Sequence, residues 1–234
     1  MQEQISLILD QLSLEEKCEL LAGRTPFHLV SFPEKGLPEV IVTDGPLGVR
    51  TMPKEREPDR ITGPATAMPS STAQAASFDL DLIREMGHVL AEETRALGCD
   101  LLLAPGVNVA RDPRSGRTFE YFSEDPLLSA MMGAAYVSAL QEKGVATCVK
   151  HFVANDLETN RFNSSSEMDE RTLREVHLFP FEWIARHANP WSMMPAYNRL
   201  NGIHCTEHTE LLRIFRQECG FDGAFISDWG AVHT

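Results

Sequence analysis

Gly223-Ala224-Phe225-Ile226-Ser227-Asp228-Trp229-Gly230 is the stretch whose reading sets the fold. Its apolar first half predicts a buried strand, and Trp229-Gly230 the turn after it. An ionisable carboxylate beside an indole at the C-terminal end of a strand is where an α/β barrel keeps its chemistry. Asp228 is therefore the leading catalytic candidate. Trp229 offers an apolar platform next to it, although a tryptophan there can equally be core.

Upstream of this stretch, strands and helices alternate. Val40-Ile41-Val42, Leu101 to Ala104, Val145 to Val149 and Trp191 to Met194 have the near-continuous apolar character of buried parallel strands. Between them, Asp79 to Leu97 carries apolar residues at helical spacing and ends at Gly98. Asp125-Pro126 opens a helix that Gly144 closes. Asp169 to about Ala188 predicts one helix bent at Pro180, and Thr209 to Cys219 another. Ser13-Leu14-Glu15-Glu16 is a capping box for a short helix closed by Gly23. Pro53 to Pro69 reads as a mobile charged loop. Such alternation predicts parallel strands covered by helices.

A polar or ionisable group stands at or just beyond each strand end: Asp44, Arg111, Lys150-His151, Tyr197 and Asp228. An open doubly wound sheet gathers such groups at one crevice, whereas every strand end of a barrel can contribute. The even spread predicts a TIM-type (β/α)8-like barrel, α/β in class, as a single domain over residues 1–234. Asp44-Gly45-Pro46-Leu47-Gly48-Val49-Arg50 is a tight turn that brings Asp44 and Arg50 together. In Arg111-Asp112-Pro113-Arg114-Ser115-Gly116-Arg117-Thr118-Phe119-Glu120, Arg111 is closest to its strand and is expected in a pocket. Arg114, Arg117 and Glu120 are expected to form a salt-bridged loop. Asn155, Glu158, Asn160 and Arg161 are expected to overhang the same face. Donors and acceptors around an indole suit a hydroxyl-rich ligand, because sugars present C–H faces to aromatic rings and hydroxyls to polar groups.

Bulk properties restrict the partners. A formal net charge of −13 over 234 residues argues against nucleic-acid and anionic-membrane surfaces. No run approaches the roughly 18 apolar residues of a spanning helix. Met1-Gln2-Glu3-Gln4 does not start a secretory signal, so a cytoplasmic location is expected. The 5 cysteines, at 18, 99, 148, 205 and 219, form no CxxC pair and are expected to be reduced and buried. Two further signals compete. His204-Cys205-Thr206-Glu207-His208 matches the H-x-x-E-H zinc pattern, but the flanking Asn201-Gly202 and Thr206 mark a loop and cap, so no metal and no cofactor is expected. Lys150 occupies a place where a barrel aldolase keeps its Schiff-base lysine, without a supporting motif.

Taken in order, several motifs resemble the N-terminal barrel domain of glycoside hydrolase family 3, most closely its β-glucosidases. They are Thr43-Asp44-Gly45-Pro46 with Gly48-Val49-Arg50, Arg111-Asp112-Pro113-Arg114 with Gly116-Arg117 and Glu120, Ser123-Glu124-Asp125-Pro126, Lys150-His151-Phe152, Asp169-Glu170-Arg171-Thr172-Leu173-Arg174-Glu175, Tyr197-Asn198 and Ser227-Asp228-Trp229. The resemblance implies a retaining hydrolase of β-glucosides or oligosaccharides, with Asp228 as the nucleophile. Asp44, Arg50, Arg111, Lys150 and His151 would grip the sugar, Met194 would line the pocket, Tyr197 would adjoin the nucleophile, and Trp229 would stack on sugar or aglycone. The family takes its acid/base from a second domain, and 6 residues follow Asp228. The resemblance therefore implies a barrel incomplete at its C-terminal end, with open strand edges that invite homo-oligomers. β-Xylosidase or arabinosidase specificity, and a non-catalytic sugar-binding remnant, remain as alternatives.

Overall fold

The computed structural model describes residues 2–50 and 63–233. In chain order, helices α1 (Gln2–Gln11) and α2 (Leu14–Glu19) lead into strands β1 (Gly23–Thr25), β2 (His28–Leu29) and β3 (Val42–Asp44). Helices α3 (Ser71–Ala75) and α4 (Leu80–Ala96) precede β4 (Leu101–Leu103), and α5 (Pro126–Glu142) precedes β5 (Ala146–Phe152). A short strand β6 (Ser165–Ser166) is followed by α6 (Glu170–Thr172), a π turn over Leu173–His177 and α7 (Phe179–Ala188). Strands β7 (Ser192–Pro195), β8 (Arg199–Leu200) and β9 (Ile203–His204), helix α8 (Thr209–Gln217) and strand β10 (Ala224–Phe225) complete the chain.

Five strands form one parallel sheet in the order β10-β7-β5-β4-β3, so all their C-terminal ends share one edge. The sheet with its helices is barrel-like and open among the described residues. β5 lies at its centre and all seven of its residues are buried, as a strand covered on both faces requires. Neighbouring residues alternate between two apolar layers. Leu102, Val149 and Met193 join the large cluster under the helices. Leu101, Leu103, Cys148 and Met194 join a smaller cluster on the opposite face. In the large cluster Phe152 stands 5.3 Å from Phe181 and 4.7 Å from Phe215, ring centre to ring centre. The β1–β2 hairpin lies along β3, with Leu29 N–H donating to Val40 O at 3.0 Å and Val42 N–H to Phe27 O at 2.9 Å.

Several expectations shift. The first sheet strand runs Val42–Asp44 rather than 40–42, which places Asp44 within the strand end itself. The helix expected over 169–188 is broken. Leu178 N–H reaches back to Leu173 O at 2.7 Å in the π turn, and α7 starts afresh with Pro180 in its first turn, where its missing N–H is harmless. The capping box at Ser13 and Glu16 is present, but α2 stops at Glu19 and Gly23 opens β1. The cysteines are free, yet Cys18 is exposed while the other four are buried. It sits on short α2, which has no buried residue. Most of the charged loop at 53–69 lies outside the described residues. None of the described helices is long and apolar enough to cross a membrane.

Phe152 makes the aromatic centre of the core, so Phe152→Ala is expected to cost about 3–5 kcal/mol. Leu82→Ala, on the exposed side of α4, is expected to stay within about 0.5 kcal/mol. Urea unfolding of both variants checks the difference.

Candidate active site

At the shared C-terminal edge of the sheet lies a cavity of about 390 Å³. Asp44 from β3, Lys150 and His151 from β5, and Met194 from β7 line it. Tyr197, Asp228 and Trp229 enter from the segments that follow β7 and β10, and Arg50 from the turn after β3. Eight of the nine site residues expected from sequence thus converge, and Arg111 does not.

The floor is charged and closely paired. Lys150 is 2% exposed, and its ammonium donates to Asp44 Oδ1 at 2.7 Å. The same oxygen accepts from Gly45 N–H at 2.9 Å, and Arg50 stands 3.6 Å from Oδ2. Burial opposes the Asp44 charge, but Lys150 outweighs it and lowers the carboxyl's pKa. Burial likewise opposes the Lys150 charge, and Asp44 with Glu120 outweighs it and raises the ammonium's pKa. An amine held ionised in this way is not poised for Schiff-base chemistry, which needs the free base. The turn beyond Asp44 depends on glycine. Gly45 has φ 129°, and a Cβ there would lie 1.9 Å from the Gly48 carbonyl oxygen.

His151 is held on three sides. Its backbone N–H donates to Asn108 Oδ1 at 2.7 Å, and its carbonyl accepts from Asn108 Nδ2 at 2.8 Å. The Tyr121 hydroxyl lies 3.0 Å from its Nδ1. Burial first, then the charges of Arg117, Lys150 and Arg161, keep the imidazole pKa well below the usual range, so the ring is neutral. Its Nε2 faces Asp228 Oδ2 at 3.6 Å, while the Tyr121 hydroxyl beside Nδ1 also donates to Asn155 O at 3.4 Å. Asp228 is 8% exposed. Its Oδ1 accepts from Trp229 N–H at 2.8 Å, while its buried Oδ2 has no hydrogen-bond partner. Burial first and the Asp228 charge second raise the Tyr197 pKa, so the phenol stays a neutral donor.

The walls correct the reading of the loop after β4. Arg111 turns away from the cavity and donates from Nε to Asp156 Oδ2 at 3.1 Å, with its side chain 58% exposed. The chain then turns, with Ser115 N–H donating to Asp112 O at 3.0 Å, and it is Arg117 and Glu120 that return to the cavity. They pair at 2.5 Å. Arg161, from the loop after β5, also lines the cavity and stacks on Tyr197, its guanidinium carbon 4.3 Å from the ring centre. Glu158 joins the two loops, accepting from Arg161 at 2.8 Å and standing 3.9 Å from Arg117 Nε. Distance from the strand end, the signal that favoured Arg111, misled because the turn folds the later residues back. Leu103, Phe27 and Phe119 complete the lining, and the two phenylalanines carried no signal in sequence.

The two histidines of the H-x-x-E-H segment are engaged apart. His204, in β9, accepts from Arg199 Nε at 3.1 Å, and His208 caps α8 by accepting from Leu211 N–H at 3.2 Å. No cluster of metal-ligating residues occurs among the described residues.

Chemically, the cavity offers fixed cations and donors on its floor, one under-satisfied carboxylate oxygen and an aromatic rim. Lys150→Met is expected to destabilise the fold by roughly 2–3 kcal/mol, less than a fully buried pair because Asp44 keeps some solvent. The pair's contribution should follow pH in a definite way. Asp44, with a lowered pKa, contributes above its unfolded value and loses that contribution as pH falls through its folded value. Lys150, with a raised pKa, contributes below its unfolded value and loses that contribution as pH rises through its folded value. The stability difference between wild type and the double variant Asp44→Asn/Lys150→Met, which removes both titrating groups, should therefore be flat between about pH 4 and 10 and change outside it, as read from urea midpoints.

Residues 46–234 match the family described as the glycosyl hydrolase family 3 N terminal domain. Thermostable beta-glucosidase B of Acetivibrio thermocellus is 42% identical over 232 residues, covering 98% of this chain and 31% of that protein. The exo-alpha-(1->6)-L-arabinopyranosidase of Bifidobacterium longum is 41% identical over 227 residues, covering 95% of this chain and 30% of that protein. The structure of beta-glucosidase 3B from Thermotoga neapolitana in complex with glucose superposes with a TM-score of 0.90 at 40% identity, covering 97% of this chain and 34% of that one. The chain thus spans about a third of the length of these relatives. With a family match over most of its length and the same fold as solved relatives, this chain belongs to glycosyl hydrolase family 3, in the part formed by that family's N-terminal domain.

Proposed function

We propose that the protein is a retaining glycoside hydrolase acting on terminal β-D-glucosyl residues, with Asp228 as the nucleophile that forms a covalent glycosyl-enzyme. The observation that carries this is the buried Asp228 Oδ2, which lacks a hydrogen-bond partner at the edge of the cavity. The other lining carboxyls are Asp44 and Glu120, each committed to a cation at 2.7 Å and 2.5 Å. A carboxylate oxygen not held in a short hydrogen bond keeps its lone pairs available for attack, and the neutral His151 and Tyr197 beside it do not neutralise its charge. Attack on the anomeric carbon would form the ester bond as the bond to the leaving oxygen breaks, and water would later release the sugar. Asp44, Arg50, Lys150, Arg117 and Arg161 would bind the hydroxyls, where fixed donors stabilise the transition state without reorganising.

Retaining chemistry needs a second carboxyl about 5–5.5 Å from the nucleophile to protonate the leaving group. Asp44 and Glu120, being ion-paired, do not suit that role, so the acid would come from outside the described residues. Glucose is favoured because most of the named relatives are beta-glucosidases and a solved neighbour holds glucose. An arabinopyranoside is the alternative that the Bifidobacterium longum relative supports.

Incubation with 2,4-dinitrophenyl 2-deoxy-2-fluoro-β-D-glucoside, followed by intact mass and peptide mapping, tests the reading. One fluoroglucosyl group on the peptide bearing Asp228 is expected, and none on Asp228→Asn. A folded chain that takes up no label would overturn the reading. With the other described lining carboxyls ion-paired, the chain should also hydrolyse cellobiose more slowly than an activated aryl β-glucoside by roughly 10²–10⁴-fold, the usual contribution of general acid catalysis.

A further inference from the structure

Within the cavity, burial and chemistry change together. Lys150 and His151 on the floor are 2% and 1% exposed, whereas Trp229 and Phe119 are 36% and 52% exposed. Phe27, half-buried, lines the same cavity. It comes from the turn of the β1–β2 hairpin, ahead of the residues that match the family. Three contacts tie this turn to the site. The Phe27 ring centre stands 5.9 Å from that of Trp229, with the planes 31° apart. The indole N–H of Trp229 donates to the carbonyl of Pro26, the preceding residue, at 3.1 Å. The Phe27 carbonyl accepts from Val42 N–H at 2.9 Å, on the strand that ends in Asp44. The hairpin therefore positions the indole relative to the carboxylate that would grip the sugar, and adds a ring of its own beside it.

From this arrangement we infer that Phe27 is a specificity-determining residue: with Trp229 it forms a two-ring platform that selects an aromatic group on the leaving side of the sugar. The inference rests on the proposed glycosidase site. The charged floor would take the hydroxyl-bearing ring, because buried cations and carboxylates need polar partners. A second ring would be left at the aromatic rim, where offset or edge contacts between rings give an advantage over an alkyl group. Trp229 alone could provide one face, but its plane would then be set only by its own backbone. The Pro26 hydrogen bond and the Phe27 ring fix it from the hairpin side, so ligand binding need not order it.

The test is binding of two non-hydrolysable ligands to the full 234-residue chain by calorimetry: phenyl 1-thio-β-D-glucoside and methyl 1-thio-β-D-glucoside. Wild type is expected to prefer the phenyl ligand. Phe27→Ala should cut that phenyl-to-methyl preference by about threefold to tenfold, the range of one aromatic pair. Phe27→Tyr should restore it. A wild type without the preference, a Phe27→Ala variant that keeps it, or equal losses for both ligands would overturn the inference. Neither ligand requires Asp228 to react. Failure of the covalent reading, seen as absent labelling, is therefore distinguishable from failure of the platform, seen as an unchanged preference.

Discussion

The Lys150–Asp44 ion pair is the constraint from which the site is built. A lysine ammonium with 2% exposure cannot stay charged without a partner, and Asp44 Oδ1 at 2.7 Å provides it. The pair spans β4, tying the end of the central strand to the edge strand two places away. It fixes the start of the turn that runs from Asp44 to Arg50, and that turn closes only because Gly45 has no side chain. It also divides the carboxylates of the cavity. Asp44 is held as a charged acceptor, while Asp228, without a cation in hydrogen-bond contact, keeps an oxygen open.

Around this pair the loops are interlocked by charge. Arg117 from the loop after β4 and Arg161 from the loop after β5 both carry positive charge into the cavity. Each is matched by a carboxylate, Glu120 for the first and Glu158 for the second, and Glu158 stands near enough to both arginines to couple the loops. Planar guanidinium groups held this way present donors at fixed angles, which a free surface arginine does not. The accumulated positive charge explains a further property of the site. It helps burial keep His151 neutral, and a neutral imidazole donates one hydrogen and accepts another.

The structure also shows why the cavity sits where it does. The sheet's helix-covered face is filled by large apolar side chains, with α5 packed between α4 and α7. The other face carries a smaller apolar cluster, against which Phe27, Leu29 and Val40 from the hairpin region pack. Polar groups are therefore displaced to the strand ends, where the backbone leaves the sheet and side chains can meet from different strands.

Much of this was readable from the chain itself. Apolar runs marked the strands around Leu102, Val149 and Met193, helical spacing marked α4, and the Asp125-Pro126 and Ser13-to-Glu16 signals marked helix starts. These depend on local backbone chemistry and on periods of two or 3.6 residues, which a sequence displays directly. Asp44, Lys150, His151, Tyr197 and Asp228 were legible for the same reason, since each stands at or just beyond a strand end. What tertiary structure decided was the direction of the loops. Arg111 looked nearest the site and points to Asp156, while Arg117, six residues later, is folded back into it. Phe27 reaches the cavity because the β1–β2 hairpin folds along β3, which brings it beside Trp229, far away in the chain. Sequence position encodes how far a residue is from its strand, but a loop's course also depends on ion pairs with another loop, as Arg111 makes with Asp156 and Arg117 with Glu158, and those partners are not neighbours in the chain.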